Sequence, residues 1–368
     1  MVKRRGTIAR LWELIDPRAN DPKICLALSQ VLDLVNSTWT LDRPIDIGSS
    51  EVRALLERHR ITTLVPLDLV AAKDRGWLRN KHINIAASHL RIRSTAREIL
   101  SLLGDAKIET RVLKGLATAE LDYPNQQLRH TGDVDLAIRP DDLDQVVQIL
   151  TASGHRDHPT PFNPALLYGW TLDAPSGVET DLHTRLFRRS PPDNELFTSS
   201  GEPLRSIPGS ALCPEHRLVH AAGHFIISPP GSRRMSGVVD VARLLRRDDL
   251  NFDESRRFAA QLGVESLVGA GIRVEAELSG RTEVLSALKT WQQPDWLERN
   301  TRLVAHRRLV LDHLGRYREV PRGQRLRYFP SWILPARHLR RIFCQSLVVA
   351  GLRLVPRTRS EKDSSWTT

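Results

Sequence analysis

The sequence predicts an α+β protein in which a small α/β core lies between two helical regions. Residues 6–103 have apolar residues at helical spacing, whereas residues 105–190 alternate short strand-like and helical segments. From Pro214 onward the pattern is helical again. We therefore divide the chain into a helical region (1–104), an α/β core (105–212), a second helical region (213–356) and a polar tail (357–368).

The composition is that of a globular protein. The chain has 368 residues, of which 40% are apolar, and a formal net charge of +11; a disordered chain of this charge would have fewer aliphatic residues. Its three widely spaced cysteines form neither a disulfide framework nor a zinc-binding pair, which favours the cytoplasm. The basic N-terminus is interrupted by charged residues and is not typical of a signal peptide. No uncharged apolar run reaches the roughly 18 residues of a membrane span.

Most of the excess positive charge lies near the C-terminal end. Residues 301–360 contain 14 arginines and two acidic residues, Asp312 and Glu319. Such a surface can bind nucleic acid, other phosphates or an anionic membrane. The sequence favours the simpler interpretation of a solvated helical face, because arginine is also the main basic residue elsewhere in the chain. Nucleic-acid binding through this segment stays an alternative.

A long helix is predicted in the N-terminal region. Residues 67–103 contain good helix formers and no proline. Gly104 and Asp105 follow, and a glycine just past the last helical residue is typical of a helix C-terminus. Apolar clusters at 26–34 and 52–56 indicate further helices before it.

Five elements are predicted in order within residues 105–190. They are a strand at 108–113, a helix at 116–121, a strand at 133–138, a helix that begins at 140–142 and ends at Gly154, and a strand at 177–186. The second and third strands alternate apolar with polar residues, so each has one face for the core and one polar face.

Asp133 and Asp135 are the candidate catalytic residues. On a strand, side chains two residues apart lie on the same face, so the two carboxylates point the same way while Val134 and Leu136 face the core. Paired carboxylates at this spacing need a compensating cation, and their oxygens suit Mg²⁺ or Mn²⁺. Asp181, on the next strand, supplies a third carboxylate. Three carboxylates on adjacent strands could hold two divalent ions and align a triphosphate.

Other interpretations of these acidic residues stay open. A lone Asp-x-Asp pattern often marks a solvated strand end. Glu179 shares the face of Asp181 and could replace it as a ligand. His183 lies on that face too; we include it among the nucleotide-binding candidates, although a histidine at a strand end more often makes a structural hydrogen bond.

Lys114 and Gly115 form the candidate phosphate site. They lie where a strand passes into a helix, and the free N–H groups of a helix N-terminus can receive a phosphate. Glycine allows close approach and Lys114 adds a positive charge. Arg129, in the loop before Asp133, could reach the same triphosphate.

Three further residues are candidates for the substrate cleft. His220 and His224 lie four residues apart on a predicted helix and therefore face the same way. Without an HExxH motif a zinc site is disfavoured, and packing or solvent exposure is favoured over contact with a substrate. Asp240, in an apolar helix, is either paired with an arginine such as Arg243 or turned toward the cleft.

Three segments carry a resemblance to a known family: VLKGLATAELDYP (112–124), RHTGDVDLAIRPDDLDQVVQILTASGH (129–155) and VETDLHTRLF (178–187). They resemble an uncharacterised bacterial nucleotidyltransferase family of the minimal type, often encoded beside genes for lasso peptides and other natural products. The resemblance implies a polymerase-β-like fold with a mixed sheet, and Asp133, Asp135 and Asp181 as metal ligands. Gly115 would stand where that superfamily has its phosphate-binding Gly-Ser pair, although the hydroxyl of that pair is absent here.

These observations predict a metal-dependent nucleotidyltransferase. It would move a nucleoside monophosphate from an NTP to a hydroxyl or phosphate of a peptide, natural product or other small molecule, and release pyrophosphate. Asp181 would deprotonate or orient the acceptor hydroxyl. One alternative is a toxin-like or antibiotic-modifying nucleotidyltransferase that acts on tRNA or an aminoglycoside. The other is a non-catalytic nucleotide-binding scaffold.

Overall fold

The computed structural model of the chain describes residues 15, 26–31, 45–157, 169–187, 195–228 and 233–291. Chain contacts divide the protein into a unit of residues 1–305 and a unit of residues 306–368, and all described residues belong to the first. The Arg-rich segment 301–360 and the tail 357–368 lie outside the described residues. The four-part division of the chain stays a prediction.

A mixed sheet forms the centre of the described structure and confirms the predicted α+β class. Its strands are β1 (Thr110–Val112), β2 (Val134–Ile138), β3 (Arg156–Asp157), β4 (Gly169–Asp173), β5 (Glu179–His183), β6 (Glu202–Pro203) and β7 (Ser210–Ala211). They lie in the order β3-β4-β5-β2-β1-β7-β6. β2 pairs in parallel with β5 and antiparallel with β1, so the strands with the candidate aspartates are neighbours.

Helices precede, interrupt and follow the sheet. They are α1 (Ser50–Arg58), α2 (Ala72–Asp105), α3 (Lys114–Leu121), α4 (Leu143–Ala152), α5 (Glu195–Thr198), α6 (Pro214–Ile227), α7 (Met235–Leu244), α8 (Phe252–Gln261), α9 (Glu265–Ser279) and α10 (Thr282–Ala287). Residues 26–31 are also helical. No helix in the described ranges combines the length and apolarity that crossing a bilayer requires.

The two faces of β2 have different neighbours. Val134, Leu136 and Ile138 belong to a buried apolar cluster with residues of α2 and α4, as the alternating pattern predicts. Ala137 belongs instead to a cluster with residues of α6–α9. Because Asp133 and Asp135 share the face of Ala137, the candidate aspartates lie on the side of the sheet that α6 covers.

The strands predicted at 108–113, 133–138 and 177–186 are confirmed as β1, β2 and β5. The prediction of only three strands for this region is wrong, because β3 and β4 lie between α4 and β5 in the chain. β4 pairs antiparallel with β5 along its whole length. Its sequence, GWTLD, has a single fully buried residue, Leu172, so it lacks the apolar alternation that identifies a strand.

The long N-terminal helix predicted at 67–103 is confirmed as α2, but it begins only at Ala72, after a separate 3-10 turn at Leu67–Leu69, and Gly104 does not end it. The helix continues through Asp105, and the left-handed residue that follows is Lys107, with a φ of 60°. The Lys107 N–H donates to the Gly104 carbonyl and the Ile108 N–H to the Leu103 carbonyl, both at 2.9 Å. The capping turn therefore lies three residues beyond the predicted glycine stop.

Close contact between α6 and α9 supports the helix that covers the candidate site. A Cβ atom at Gly271 of α9 would lie 2.3 Å from the Ala222 carbonyl oxygen of α6, so only glycine allows this approach. On another side of α6, the ring of His216 stacks on Phe258 of α8 with a centroid distance of 3.5 Å. α6 is therefore held from behind by two neighbouring helices.

We predict that acid destabilises the protein through histidines that fold in their neutral form. Burial lowers the pKa of His89, His130 and His216 each to about 4. In the unfolded chain these groups titrate near the usual pKa of about 6.5. Below that pH the unfolded state binds protons that the folded state does not, so the free energy of unfolding falls as the pH falls from 6.5 toward 4.

Urea unfolding at pH 7.5, 6 and 5 measures this effect, which we expect to be of order 1 kcal/mol for each histidine at pH 5. The variant His216→Phe, which keeps the ring stack but cannot titrate, should show a weaker pH dependence than the wild type. Equal pH dependence in both proteins would contradict the assignment to His216.

Candidate active site

The candidate aspartates meet on neighbouring strands. The parallel register of β2 and β5 places Asp135 beside Asp181, and Asp133 extends the same face just before β2. Two groups of described residues have potential metal-ligand atoms that all lie within 4.8 Å of one another. They are Asp133, Glu179 and Asp181 in one group, and Asp135, Asp181 and His183 in the other. The three predicted aspartates are therefore brought together, with Asp181 common to both groups.

Asp135 is a buried carboxylate that already has a cationic partner. Lys114 Nζ forms a salt bridge with Asp135 Oδ1, and His183 Nε2 lies 2.8 Å from the same oxygen. Burial favours the neutral form of Asp135, but the charge of Lys114 and the hydrogen bond with His183 outweigh it and hold the pKa of Asp135 well below its usual range. Asp135 is therefore ionised at neutral pH.

Asp133 and Asp181 are differently placed. In the part of the chain that the structure describes, neither forms an ion pair with a cationic side chain. Burial, and next the charge of Asp135, raises the pKa of Asp133. Asp181 accepts a hydrogen bond from Thr171 Oγ1 at 2.7 Å. With Glu179 these carboxylates form a set of hard oxygen donors that fits a divalent cation such as Mg²⁺ or Mn²⁺.

One cavity joins these residues to most of the other candidates. It has a volume of about 380 Å³ and lies between the sheet, α3, α6 and α7. The predicted residues that line it are Lys114, Gly115, Arg129, Asp133, Asp135, Asp181, His220, His224 and Asp240. His183 is not among the lining residues and acts on the site through its contact with Asp135. A cavity of this size is in the range of small-molecule sites.

Gly115 is needed for a packing contact inside the protein. It lies in the first turn of α3, and a Cβ atom there would be 2.7 Å from Thr131 Cγ2. Lys114, before it, has a left-handed backbone with a φ of 44°. The sequence predicts that a phosphate approaches the backbone closely at Gly115. The structure shows that the Thr131 side chain also lies close to this backbone. Phosphate binding at Gly115 stays a prediction.

We predict that Gly115→Ala destabilises the protein by about 1–2 kcal/mol. Alanine is otherwise preferred over glycine inside a helix by about 1 kcal/mol, so a net loss reports the clash with Thr131. The double variant Gly115→Ala/Thr131→Ser lacks the clashing methyl group and should recover most of the loss in chemical denaturation. A single variant as stable as the wild type would show that the contact relaxes without cost.

Arg129 and Asp240 form a buried pair. Arg129 Nε and Nη2 each donate to a different oxygen of Asp240 at 2.7 Å, and Tyr123 donates its hydroxyl hydrogen to Asp240 Oδ1 at 2.8 Å. The sequence left open whether Asp240 pairs with an arginine such as Arg243 or faces the cleft. It lines the cavity and its partner is Arg129, from a distant loop. Since the third nitrogen of Arg129 donates to the His130 carbonyl, contact with a triphosphate stays a prediction for this residue.

His220 and His224 lie on the cavity side of α6. His220 is 5% exposed and meets the ring of Phe187 edge-on at a centroid distance of 6.0 Å. His224 is exposed to the cavity and lies edge-on to His220. The protein that surrounds the cavity desolvates both rings, and this desolvation and the nearby charge of Lys114 lower the pKa of both histidines, so both are neutral at pH 7. Packing, which the sequence favoured, applies to His220, while His224 can contact a bound molecule.

Arg60 and Arg234 are cavity residues that the sequence did not predict. A Cβ atom at Gly132 would lie 3.0 Å from Arg60 Nη2, which places the Arg60 guanidinium against the chain beside Asp133. Burial and then the charge of Arg234 lower the pKa of Arg60. Among the described residues, neither guanidinium group has a hydrogen bond or ion-pair partner. No local pattern distinguishes these two among the 54 lysines and arginines of the chain.

Comparison with known proteins identifies a family. Residues 47–280, more than half of the chain, match the model of a protein family described as uncharacterised nucleotidyltransferase. No curated protein matches the chain.

Two solved structures are similar to it. An antigenic nucleotidyltransferase-like protein from Paracoccidioides brasiliensis is 16% identical, with a TM-score of 0.39 over 56% of this chain and 96% of that chain. The antibiotic-resistance factor ANT(2'')-Ia is 15% identical, with a TM-score of 0.29 over 54% of this chain and 94% of that chain.

Proposed function

Because the chain belongs to the uncharacterised nucleotidyltransferase family, and is therefore a transferase, we propose that it moves a nucleoside monophosphate from an NTP to an acceptor with the help of a divalent cation. One observation supports this most strongly: Asp133, Asp135 and Asp181 lie together on the wall of a cavity that also contains cationic side chains. Transfer from a triphosphate requires carboxylates that hold a metal ion and, beside them, basic side chains that bind the phosphate groups.

The acidic residues have separate roles in this proposal. Asp133, Glu179 and Asp181 would hold the cation, which we propose is Mg²⁺ or Mn²⁺. A divalent cation bound there supplies positive charge to the phosphate oxygens as charge develops on them. Asp181 is also the group that orients the acceptor hydroxyl and receives its proton. Its hydrogen bond from Thr171 fixes the orientation of the carboxylate for that purpose.

The transfer is an in-line displacement at the α-phosphorus of the NTP. The acceptor oxygen forms a bond to this phosphorus, and the bond from phosphorus to the oxygen that bridges to the β-phosphate breaks. The acceptor loses its proton to Asp181, and pyrophosphate leaves with the electron pair of the broken bond. No redox step is involved.

Arg60 and Arg234 support the assignment of a triphosphate to the cavity. Their guanidinium groups have no hydrogen-bond or ion-pair partner in the described ranges, and burial lowers the pKa of both, so a bound anion would stabilise their charged forms. Arginine forms strong, charge-assisted hydrogen bonds with phosphate oxygens. We therefore add both residues to the nucleotide-binding candidates Lys114, Gly115, Arg129 and His183.

We predict that Arg60→Gln and Arg234→Gln each raise the Kd of a non-hydrolysable NTP about 10-fold or more, since each removes a charge-assisted contact. Titration calorimetry with Mg²⁺ and the NTP analogue measures the effect. The matched control is Arg79→Gln, which replaces an exposed arginine of α2 that does not line the cavity and should change Kd less than about 2-fold. If the wild type and the three variants bind the NTP analogue with equal affinity, Arg60 and Arg234 do not contribute to nucleotide binding.

We propose a peptide, natural product or other small molecule as the acceptor, because the sequence resembles enzymes of natural-product gene clusters. An aminoglycoside acceptor is the alternative that the sequence raised. The Arg-rich segment 301–360 supports a tRNA acceptor instead, and a steep loss of RNA binding with rising salt would favour that version.

We propose the cytoplasm as the site of action, because the three cysteines are too widely spaced in the sequence to suggest a disulfide framework.

Incubation of the protein with each α-labelled NTP, Mg²⁺ and separate pools of peptides, small molecules and RNA tests the proposed function. We expect one pool to acquire both the label and the added mass of a nucleoside monophosphate. Binding of nucleotide with no transfer to any pool, and no slow transfer to water, would favour the non-catalytic scaffold.

A further inference from the structure

We propose that the ammonium group of Lys114 takes the place of one of the two cations that the paired carboxylates would otherwise need, so that the enzyme binds a single divalent ion. The inference rests on the proposed function and specifies its metal requirement. It starts from the two overlapping groups of potential ligands, Asp133–Glu179–Asp181 and Asp135–Asp181–His183. Two such groups would ordinarily be assigned one ion each.

Lys114 lies within the second of these groups. Its Nζ forms a salt bridge with Asp135 Oδ1 and lies 3.2 Å from His183 Nε2. His183 Nε2 is itself 2.8 Å from that carboxylate oxygen. An ion bound between Asp135 and His183 would therefore compete with the ammonium group for the same oxygen and would stand directly beside its charge.

The local backbone holds Lys114 in this position. Lys114 begins α3 in a left-handed conformation that is costly for any residue except glycine. The segment is tied to β2, because the Leu113 N–H donates to the Asp135 carbonyl at 2.9 Å. Asp135 is 2% exposed, and a carboxylate so deeply buried needs a permanent positive partner. The chain thus keeps a strained lysine beside a buried aspartate.

The first group is different at two of its three carboxylates. Asp133 and Asp181 have no ion pair with a cationic side chain in the described residues. The charges of Lys114 and Arg60 act on Asp133, and we assign Arg60, together with Arg234, to phosphate. One divalent ion beside Asp133 and Asp181 would compensate the negative charge of those two carboxylates. Lys114 already compensates the charge of Asp135.

Lys114 then has a direct role in the transfer. Its ammonium group can donate hydrogen bonds to Asp135 and to an oxygen of the bound substrate at the same time, because lysine has three donor hydrogens. It would stabilise negative charge on that oxygen during the displacement at phosphorus, which is the contribution otherwise expected from a second ion.

Counting bound Mn²⁺ by electron paramagnetic resonance, with the full chain and the metal alone, tests the inference without relying on activity. We expect one ion per chain in the wild type and two in Lys114→Met, which frees Asp135 and His183 for a second ion. Lys114→Arg keeps the positive charge and should bind one. The matched control is Lys81→Met, which removes a lysine–carboxylate pair with Glu57 at the surface and should also bind one.

Two ions in the wild-type protein, or one in a folded Lys114→Met variant, would overturn the inference and leave nucleotidyl transfer standing. If Lys114→Met fails to fold, the counts for the wild type and Lys114→Arg still test the inference. Two bound ions in either protein would show that a basic side chain at residue 114 does not replace the second ion. No bound ion in any of the proteins would overturn the inference together with the metal dependence of the proposed function.

Discussion

Asp133→Asn and Asp181→Asn should each reduce kcat for nucleotidyl transfer by about 10³-fold or more and leave the fold intact. Each substitution removes a charged ligand of the proposed cation, and Asp181→Asn also removes the group that receives the acceptor proton. The amide keeps the shape of the side chain, and in Asp181→Asn the amide oxygen can still accept the hydrogen bond from Thr171.

Asp133→Asn should not destabilise the protein, although it should remove most of the activity. Burial and repulsion from Asp135 raise the pKa of this carboxyl, so its charged form is unfavourable in the folded protein. We therefore expect an unchanged or higher Tm for Asp133→Asn. Asp141→Asn, an exposed aspartate shortly after β2, is the control and should retain both full activity and stability. Wild-type kcat in both site variants would remove the aspartates from the chemistry.

Asp240→Asn should lower the free energy of unfolding by about 3–5 kcal/mol, the range found when one partner of a buried ion pair is removed. The carboxylate accepts two hydrogen bonds from Arg129 and one from Tyr123. The Arg129 side chain is 11% exposed and would be left as a buried charge without a full counter-charge. Urea unfolding followed by circular dichroism measures the loss.

The control for this prediction is a surface pair of the same chemistry. Asp249 binds Arg247 at 2.7 Å but is 62% exposed, and Arg247 keeps other acidic partners, Asp122 and Glu202. Asp249→Asn should therefore cost less than about 1 kcal/mol. The double variant Arg129→Met/Asp240→Leu should recover much of the loss, since it leaves no buried charge unpaired. A loss from Asp240→Asn as small as that from Asp249→Asn would contradict a structural role for the pair.

The acidic face of the sheet was predictable because strand geometry is local. Alternation in residues 133–138 and 177–186 placed Val134 and Leu136 in the core and Asp133, Asp135 and Asp181 on the opposite face. The structure adds that β2 and β5 are parallel neighbours in a register that aligns Asp135 with Asp181. Glu179, noted from the sequence as a substitute for Asp181, is instead its neighbour in one group of ligands.

The partners of the charged side chains were not predictable, because they depend on contacts between distant segments. Arg129 was expected at a phosphate and Asp240 was left between two roles, yet the two residues, 111 positions apart, form one ion pair. Lys114 was likewise assigned to phosphate, and its ammonium group binds Asp135 across the sheet. Arg60 reaches the cavity from the end of α1, far from any motif of the core.

The central claim, transfer of a nucleotidyl group, is tested most directly by the position of the label in the products. Parallel reactions with α-labelled and γ-labelled NTP, Mg²⁺ and the wild-type protein distinguish cleavage at the α-phosphorus from cleavage at the γ-phosphorus. The account predicts that the α label moves to the acceptor, or slowly to free nucleoside monophosphate, while the γ label leaves in pyrophosphate. Transfer of the γ label to an acceptor, or its release as orthophosphate with a nucleoside diphosphate, would contradict it.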